Sequence, residues 1–96
     1  MMMLITYDVD MTTPAGAKRL RKVAKICENF GMRVQNSVFE LLIDPAQLVG
    51  IKAQLTVAID KEKDSVRFYR MGNSWKTKID YIGKPLNINQ GETLIL

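Results

Sequence analysis

The stretch Met2-Met3-Leu4-Ile5-Thr6-Tyr7-Asp8-Val9 constrains this chain more than any other. Leu4, Ile5, Tyr7 and Val9 are apolar or aromatic with little alternation. Such a strand needs cover on both faces and therefore belongs inside a sheet, away from its edges. A carboxylate, Asp8, enters the run where the strand leaves the core, with Asp10 two residues on. Burying a charge there is costly unless something pairs with it, and loops at strand ends are where sites tend to be built. Two readings of Asp8 stand on these residues alone. It starts a turn or caps the coming helix, or it belongs to a site.

After that strand, Asp10-Met11-Thr12-Thr13-Pro14 reads as a loop, with Thr13 as N-cap and Pro14 at the first helical position. The spacing predicts a helix from about Pro14 to Phe30, closed by Gly31 as a left-handed C-cap. Leu20, Val23, Ala24, Cys27 and Phe30 share its apolar face, while Lys18, Arg19, Arg21, Lys22 and Lys25 lie off it with Glu28 the only acid. A basic run of this kind is a solvated face or a surface for phosphates, and periodicity does not choose between them. Met32 to Ile43 reads as one long strand, apolar on both faces in its second half. Asp44 caps a second helix, with Gln47 placed to reach back to it, and Leu48, Ile51, Leu55, Ala58 and Ile59 form its buried side. The charged link Asp60-Lys61-Glu62-Lys63-Asp64 reads as a solvated loop.

Ser65 to Met71 is the next expected strand, and a turn at Gly72-Asn73-Ser74 leads to a fourth over Lys78–Ile82. Trp75, beside Lys76 and Lys78, either packs in a core or interface or stacks on a base. Residues 1–84 form the expected domain. Residues 85–96 form a polar tether ending in Thr93-Leu94-Ile95-Leu96, which suits addition to a sheet edge, this chain's or another's.

Composition narrows the chemistry. Ninety-six residues make one domain with a high surface-to-volume ratio, which a partner chain would relieve. The formal charge of +4 weakly favours a polyanionic partner such as nucleic acid. With no histidine, Ser-His-Asp and Cys-His catalysis and His-ligated zinc are excluded. Hydrolysis here must use carboxylates, a hard cation, or water positioned by them. The single cysteine, Cys27, excludes an internal disulfide and a thiolate zinc site and fits a reducing cytoplasm. The start Met1-Met2-Met3-Leu4-Ile5 lacks a basic region and an adequate apolar run, so neither signal peptide nor membrane span is expected there, and no membrane partner is expected.

Two amphipathic helices and four or five strands are most economically packed as an α+β sheet with both helices on one face. The ferredoxin-like order βαββαβ needs one more strand between the helices than this reading supplies. The other sheet face keeps apolar side chains and reads as an interaction surface, which a two-fold homodimer covers most simply. Two symmetry-related copies of Asp8 near the axis could then share one cation, hold a phosphodiester and activate water. The basic helix would supply sequence-independent phosphate contacts.

Four stretches carry a resemblance. Leu4-Ile5-Thr6-Tyr7-Asp8-Val9, Lys18-Arg19-Leu20-Arg21-Lys22-Val23-Ala24-Lys25, Arg33-Val34-Gln35-Asn36-Ser37-Val38-Phe39-Glu40 and Asp64-Ser65-Val66-Arg67-Phe68-Tyr69 together resemble the second of the two core CRISPR-associated adaptation proteins, essentially end to end. The resemblance implies a ferredoxin-like homodimer and a magnesium-dependent endonuclease on RNA or double-stranded DNA, with manganese a possible substitute. It also implies a bridge between two dimers of the CRISPR-associated integrase during spacer capture. By position it makes Asp8 the catalytic residue and metal ligand, with Tyr7 the aromatic before it. Lys18, Arg19, Arg21 and Lys22 become the basic residues of the first helix, with Lys25 beside them as a further nucleic-acid contact. Arg33, Gln35, Ser37, Val38, Phe39 and Glu40 carry an R-x-Q-x-S-V-F-E stretch near the active face. The tail resembles the family's last strand, laid against the partner subunit, and a break within Met32–Ile43 would supply the missing strand. Asp10 matches no family signature. Two other functions remain open: a non-catalytic scaffold that holds duplex DNA for the integrase, and a toxin-like ribonuclease of the same superfamily. An aromatic-sheet RNA reader lacks the paired aromatics on adjacent strands.

Overall fold

The computed structural model describes residues 1–74 together with Lys76, Asp80, Ile82 and Gly83. Strand β1 (Met2–Asp8) takes the interior place its composition demands, antiparallel to β3 (Val38–Leu42) on one side and β4 (Ser65–Gly72) on the other. Strand β2 (Gly31–Gln35) lies outside β3, giving the spatial order β2-β3-β1-β4. Helix α1 (Pro14–Glu28) joins β1 to β2 and α2 (Pro45–Ala58) joins β3 to β4. This is the βαββαβ order of a ferredoxin-like α+β fold.

The expected long strand Met32–Ile43 is a hairpin instead, turning at Asn36-Ser37 with a register shift between Arg33 and Gln35. Asn and Ser are turn formers because their short polar side chains compete for backbone partners. The Arg33 guanidinium donates to the Asn36 carbonyl oxygen from Nε and Nη2, at 2.8 and 2.6 Å, and ties the turn. The extra strand completes the fold.

Both helices start as their sequences dictate. Thr13 Oγ1 accepts from the Gly16 N–H at 3.0 Å with Pro14 in the first turn. Asp44 and Gln47 form a reciprocal capping box, with bonds of 2.7 and 2.9 Å. The end of α1 differs from expectation. Asn29 is its C-cap in right-handed geometry, and Gly31 is not left-handed but opens β2. A β-carbon on Gly31 would collide with the Glu40 carbonyl oxygen and the Leu41 Cα, so close approach of β3 is what calls for glycine there.

Side-chain alternation divides the sheet. Met3, Ile5 and Tyr7 of β1 join Phe39 and Leu41 of β3 in the core cluster with Leu20, Val23 and Cys27 of α1 and Leu48, Ile51 and Leu55 of α2. Leu4, Thr6 and Asp8 therefore face the other way, beside Val38, Glu40 and Leu42 on β3 and Ser65, Arg67 and Tyr69 on β4. On that second face Leu42 is 40% exposed and Tyr69 43% exposed. Trp75, with Lys78, Ile79 and Tyr81 of the expected fourth strand, lies outside the described residues, as do the tether and the tail through Leu96. No helix among the described residues is long and apolar enough to cross a membrane.

Candidate functional site

The C-terminal end of β1 sends two successive side chains to opposite faces. Tyr7 goes inward, is buried, and donates its hydroxyl to Asp64 Oδ2 at 2.5 Å. Asp64 stands just before β4 and also accepts from Arg19 Nε at 2.8 Å, Arg19 Nη2 at 3.1 Å and the Asp60 backbone N–H at 3.0 Å. One carboxylate thus ties β1, α1 and the α2–β4 loop together. Its side chain is fully shielded, while that of Arg19 stays 17% exposed. Burial alone would raise the Asp64 carboxyl, but the Arg19 guanidinium, the Tyr7 hydroxyl and the Asp60 amide outweigh it and hold it below the usual carboxylate value. Burial and the bond to Asp64 push the Tyr7 hydroxyl up to about 12.

The solvated-loop reading of residues 60–64 therefore fails at Asp64, which is buried. The usable signal was parity: Asp64 shares the inward phase of Val66 and Phe68. Arg19, grouped by sequence with the phosphate-facing cations, has its fork committed to that carboxylate.

Asp8 is exposed on the opposite face, with Ser65 as its cross-strand neighbour on β4. Arg67 lies diagonally from it. The side-chain bond with Tyr69 chiefly raises the Arg67 guanidinium above its ordinary value, and the Asp8 charge contributes. Ser37 meets this strand end through its backbone, accepting from the Tyr7 N–H at 2.9 Å. Arg33 and Phe39 come together on the inner side, the guanidinium carbon 5.9 Å from the ring centroid. Phe39 is wholly buried in the core. Lys18, Arg21, Lys22 and Lys25 are exposed along α1, and no ion pair of theirs occurs among the described residues. Asp10 stays local: Oδ1 accepts from the Thr12 N–H at 2.9 Å and from its hydroxyl at 2.6 Å, which lowers its carboxyl.

Residues 1–79 match the family described as CRISPR associated protein Cas2. The chain belongs to the Cas2 family. A relative named CRISPR-associated endonuclease Cas2, from Halalkalibacterium halodurans, is 55% identical over 99% of both chains. The CRISPR-associated endoribonuclease Cas2 3 of Rhodospirillum rubrum is 46% identical over 99% of this chain and 100% of its own. The crystal structure of Streptococcus pyogenes Cas2 at pH 6.5 superposes with a TM-score of 0.82 at 54% identity, covering 86% of this chain and 100% of that one.

In this Cas2 fold the metal inventory of one chain is short. No group of three or more His, Cys, Asp or Glu side chains able to hold a metal occurs among the described residues. Asp8 supplies one exposed, hard oxygen ligand of the kind magnesium takes, and it fits a site completed from outside the chain by water, phosphate or a second copy. Glu40 is a second acid that sequence reading gave no chemistry of its own. It is 8% exposed, opposite Leu4 and Met32, and its Oε1 has no hydrogen-bond partner among the described residues. Burial raises its carboxyl. The signal for it was the one used for Asp8, an acid set in a strand apolar on both faces.

Proposed function

We propose that this chain is a metal-dependent phosphodiesterase of CRISPR adaptation that works as a homodimer, cleaves RNA or double-stranded DNA, and bridges integrase dimers during spacer acquisition. The observation that carries this reading is the exposed Asp8 carboxylate at the end of an interior strand, on the sheet face that also presents Leu42, Tyr69 and Arg67. The names of the Halalkalibacterium and Rhodospirillum relatives, an endonuclease and an endoribonuclease, support the activity.

Asp8 and the Asp8 of a second copy would hold magnesium, or manganese in its place. When bound, such a cation supplies Lewis acidity toward a phosphodiester oxygen and makes water a better nucleophile at neutral pH. The chain's own part is to keep Asp8 solvent-facing and in register with Ser65 and Arg67. Tyr7, pinned behind it by Asp64, fixes the strand end from the core side. Lys18 and Arg21, exposed along α1, supply phosphate contacts that carry no sequence information.

Asp8→Asn tests this directly. Cleavage of RNA and duplex DNA should vanish, with circular dichroism and oligomeric state unchanged, and chelation should abolish wild-type cleavage. Undiminished cleavage by the variant would overturn the reading. That no group of three or more metal-ligating side chains occurs among the described residues favours a second reading, a non-catalytic scaffold on the same surface. Under it, spacer integration survives Asp8→Asn and fails when Lys18 and Arg21 become alanine.

A further inference from the structure

Helix α2 is apolar on more sides than the core uses. Leu48, Ile51 and Leu55 are buried against the sheet, yet Val49 is 70% exposed and Val57 86% exposed on the opposite side. Between them lie Gly50 and Ala53, so residues 49, 53 and 57 form an i, i+4, i+8 ridge of small and β-branched side chains. Gln54 and Thr56 flank this ridge, which leaves an apolar line toward water where a surface helix normally shows polar residues. Gly50 points the same way. It sits inside a helix, where glycine is unfavourable, and a β-carbon there would meet nothing within 4 Å. Nothing among the described residues calls for glycine at that place, whereas close approach of a second backbone would.

Beside the ridge runs a groove of about 700 Å3 between α1 and α2, floored by Ile26, Ala53, Val57 and Ala58 and edged by Lys22 and Lys25. Lys18 and Arg21 are not among its lining residues. The basic run of α1 is therefore divided, two of its cations overlooking an apolar trough. A phosphate backbone would satisfy the lysines but has no use for the valines. A second copy of this chain, net +4, brings the same charge sign to the lysine edge.

We propose that the outward side of α2, with its groove against α1, receives an amphipathic α-helix of a partner protein, apolar along one side and bearing carboxylates where it meets Lys22 and Lys25. Ridge-into-groove packing sets the first requirement and charge complementarity the second. The surface is separate from Asp8 and stands whether or not the phosphodiesterase reading does.

The probes are two synthetic helical peptides with leucines along one side, one flanked by glutamates and its twin by lysines. Binding is followed by peptide fluorescence anisotropy and by methyl NMR of the full chain. The glutamate peptide should shift the Val49, Ala53 and Val57 methyls saturably, more weakly at high salt, while the lysine peptide does not. Val57→Asp should weaken binding roughly tenfold or more, with an unchanged thermal midpoint because the side chain is exposed. Ala53→Glu is the second variant and should act the same way. Lys22→Glu with Lys25→Glu should move the preference to the lysine peptide. Absence of saturable shifts at the valines, equal affinity for both peptides, or duplex DNA shifting the same methyls would overturn the proposal.

Discussion

Asp64 and Glu40 are both buried carboxylates, yet their surroundings drive them in opposite directions. Asp64 is met by a guanidinium, a phenol and a backbone amide, so its ionised form is favoured; Glu40 meets mostly apolar neighbours, so its neutral form is. A depressed carboxyl adds stability that is present above the unfolded value, near 3.8, and is lost as pH falls through the lower folded value. A raised one adds stability that is present below its unfolded value, near 4.5, and is lost as pH rises through the folded value. Asp64→Ala should therefore cost on the order of 2 kcal/mol or more at neutral pH, because Tyr7 and Arg19 lose their acceptor, and the loss should shrink as the pH drops below 3.8. Glu40→Gln should do the reverse, raising the midpoint of urea unfolding at pH 7, and the gain should disappear below pH 4.5. Urea titrations at several pH values read both effects.

At the scale of elements, helix starts were set locally and the hairpin needed the partner strand. Thr13 and Asp44 cap because a short oxygen-bearing side chain next to proline satisfies the free amides of a first turn. Thr13→Ala should cost about 1 kcal/mol, read as a shift in denaturation midpoint without a change in slope. Gly31 belongs to a different class. Its need arises from the β3 backbone lying against it, so Gly31→Ala should cost more than the cap, roughly 1–3 kcal/mol, and should loosen amide protection in β2 and β3 while α2 stays protected. Equal protection in all three elements would show that the collision is relieved without moving the hairpin. The break within Met32–Ile43, which the family resemblance implies, escapes side-chain periodicity for a related reason. A two-residue polar turn inside an apolar stretch reads as a pause in a strand until the register shift after Arg33 is seen.

At the scale of the whole molecule, the sheet has one face under two helices and another that carries Asp8, Leu42, Tyr69 and Arg67. The proposed homodimer covers that second face, so dimer formation and cleavage should fail together. Leu42→Asp places a charge at a residue already 40% exposed, leaving the helix-side core untouched. Sedimentation should report the wild type as a dimer and the variant as a monomer, with cleavage lost in parallel. A monomeric variant that still cleaves would show that one Asp8 is enough.

What the amino-acid order settled by itself was what nearest neighbours settle: the interior strand β1, both helix starts, the exclusion of histidine chemistry and the prominence of Asp8 at a strand end. These rest on side-chain period, cap chemistry and composition, which need no distant partner. Three-dimensional contact decided the remainder. Arg19 and Asp64 stand 45 positions apart and Tyr7 and Asp64 57 apart, so strand parity turns Asp64 inward but no local pattern names Tyr7 and Arg19 as the groups that meet it there. The solitude of the Glu40 oxygen is likewise a property of the space around it, because a hydrogen-bond partner is supplied or withheld by tertiary packing and not by the residues on either side.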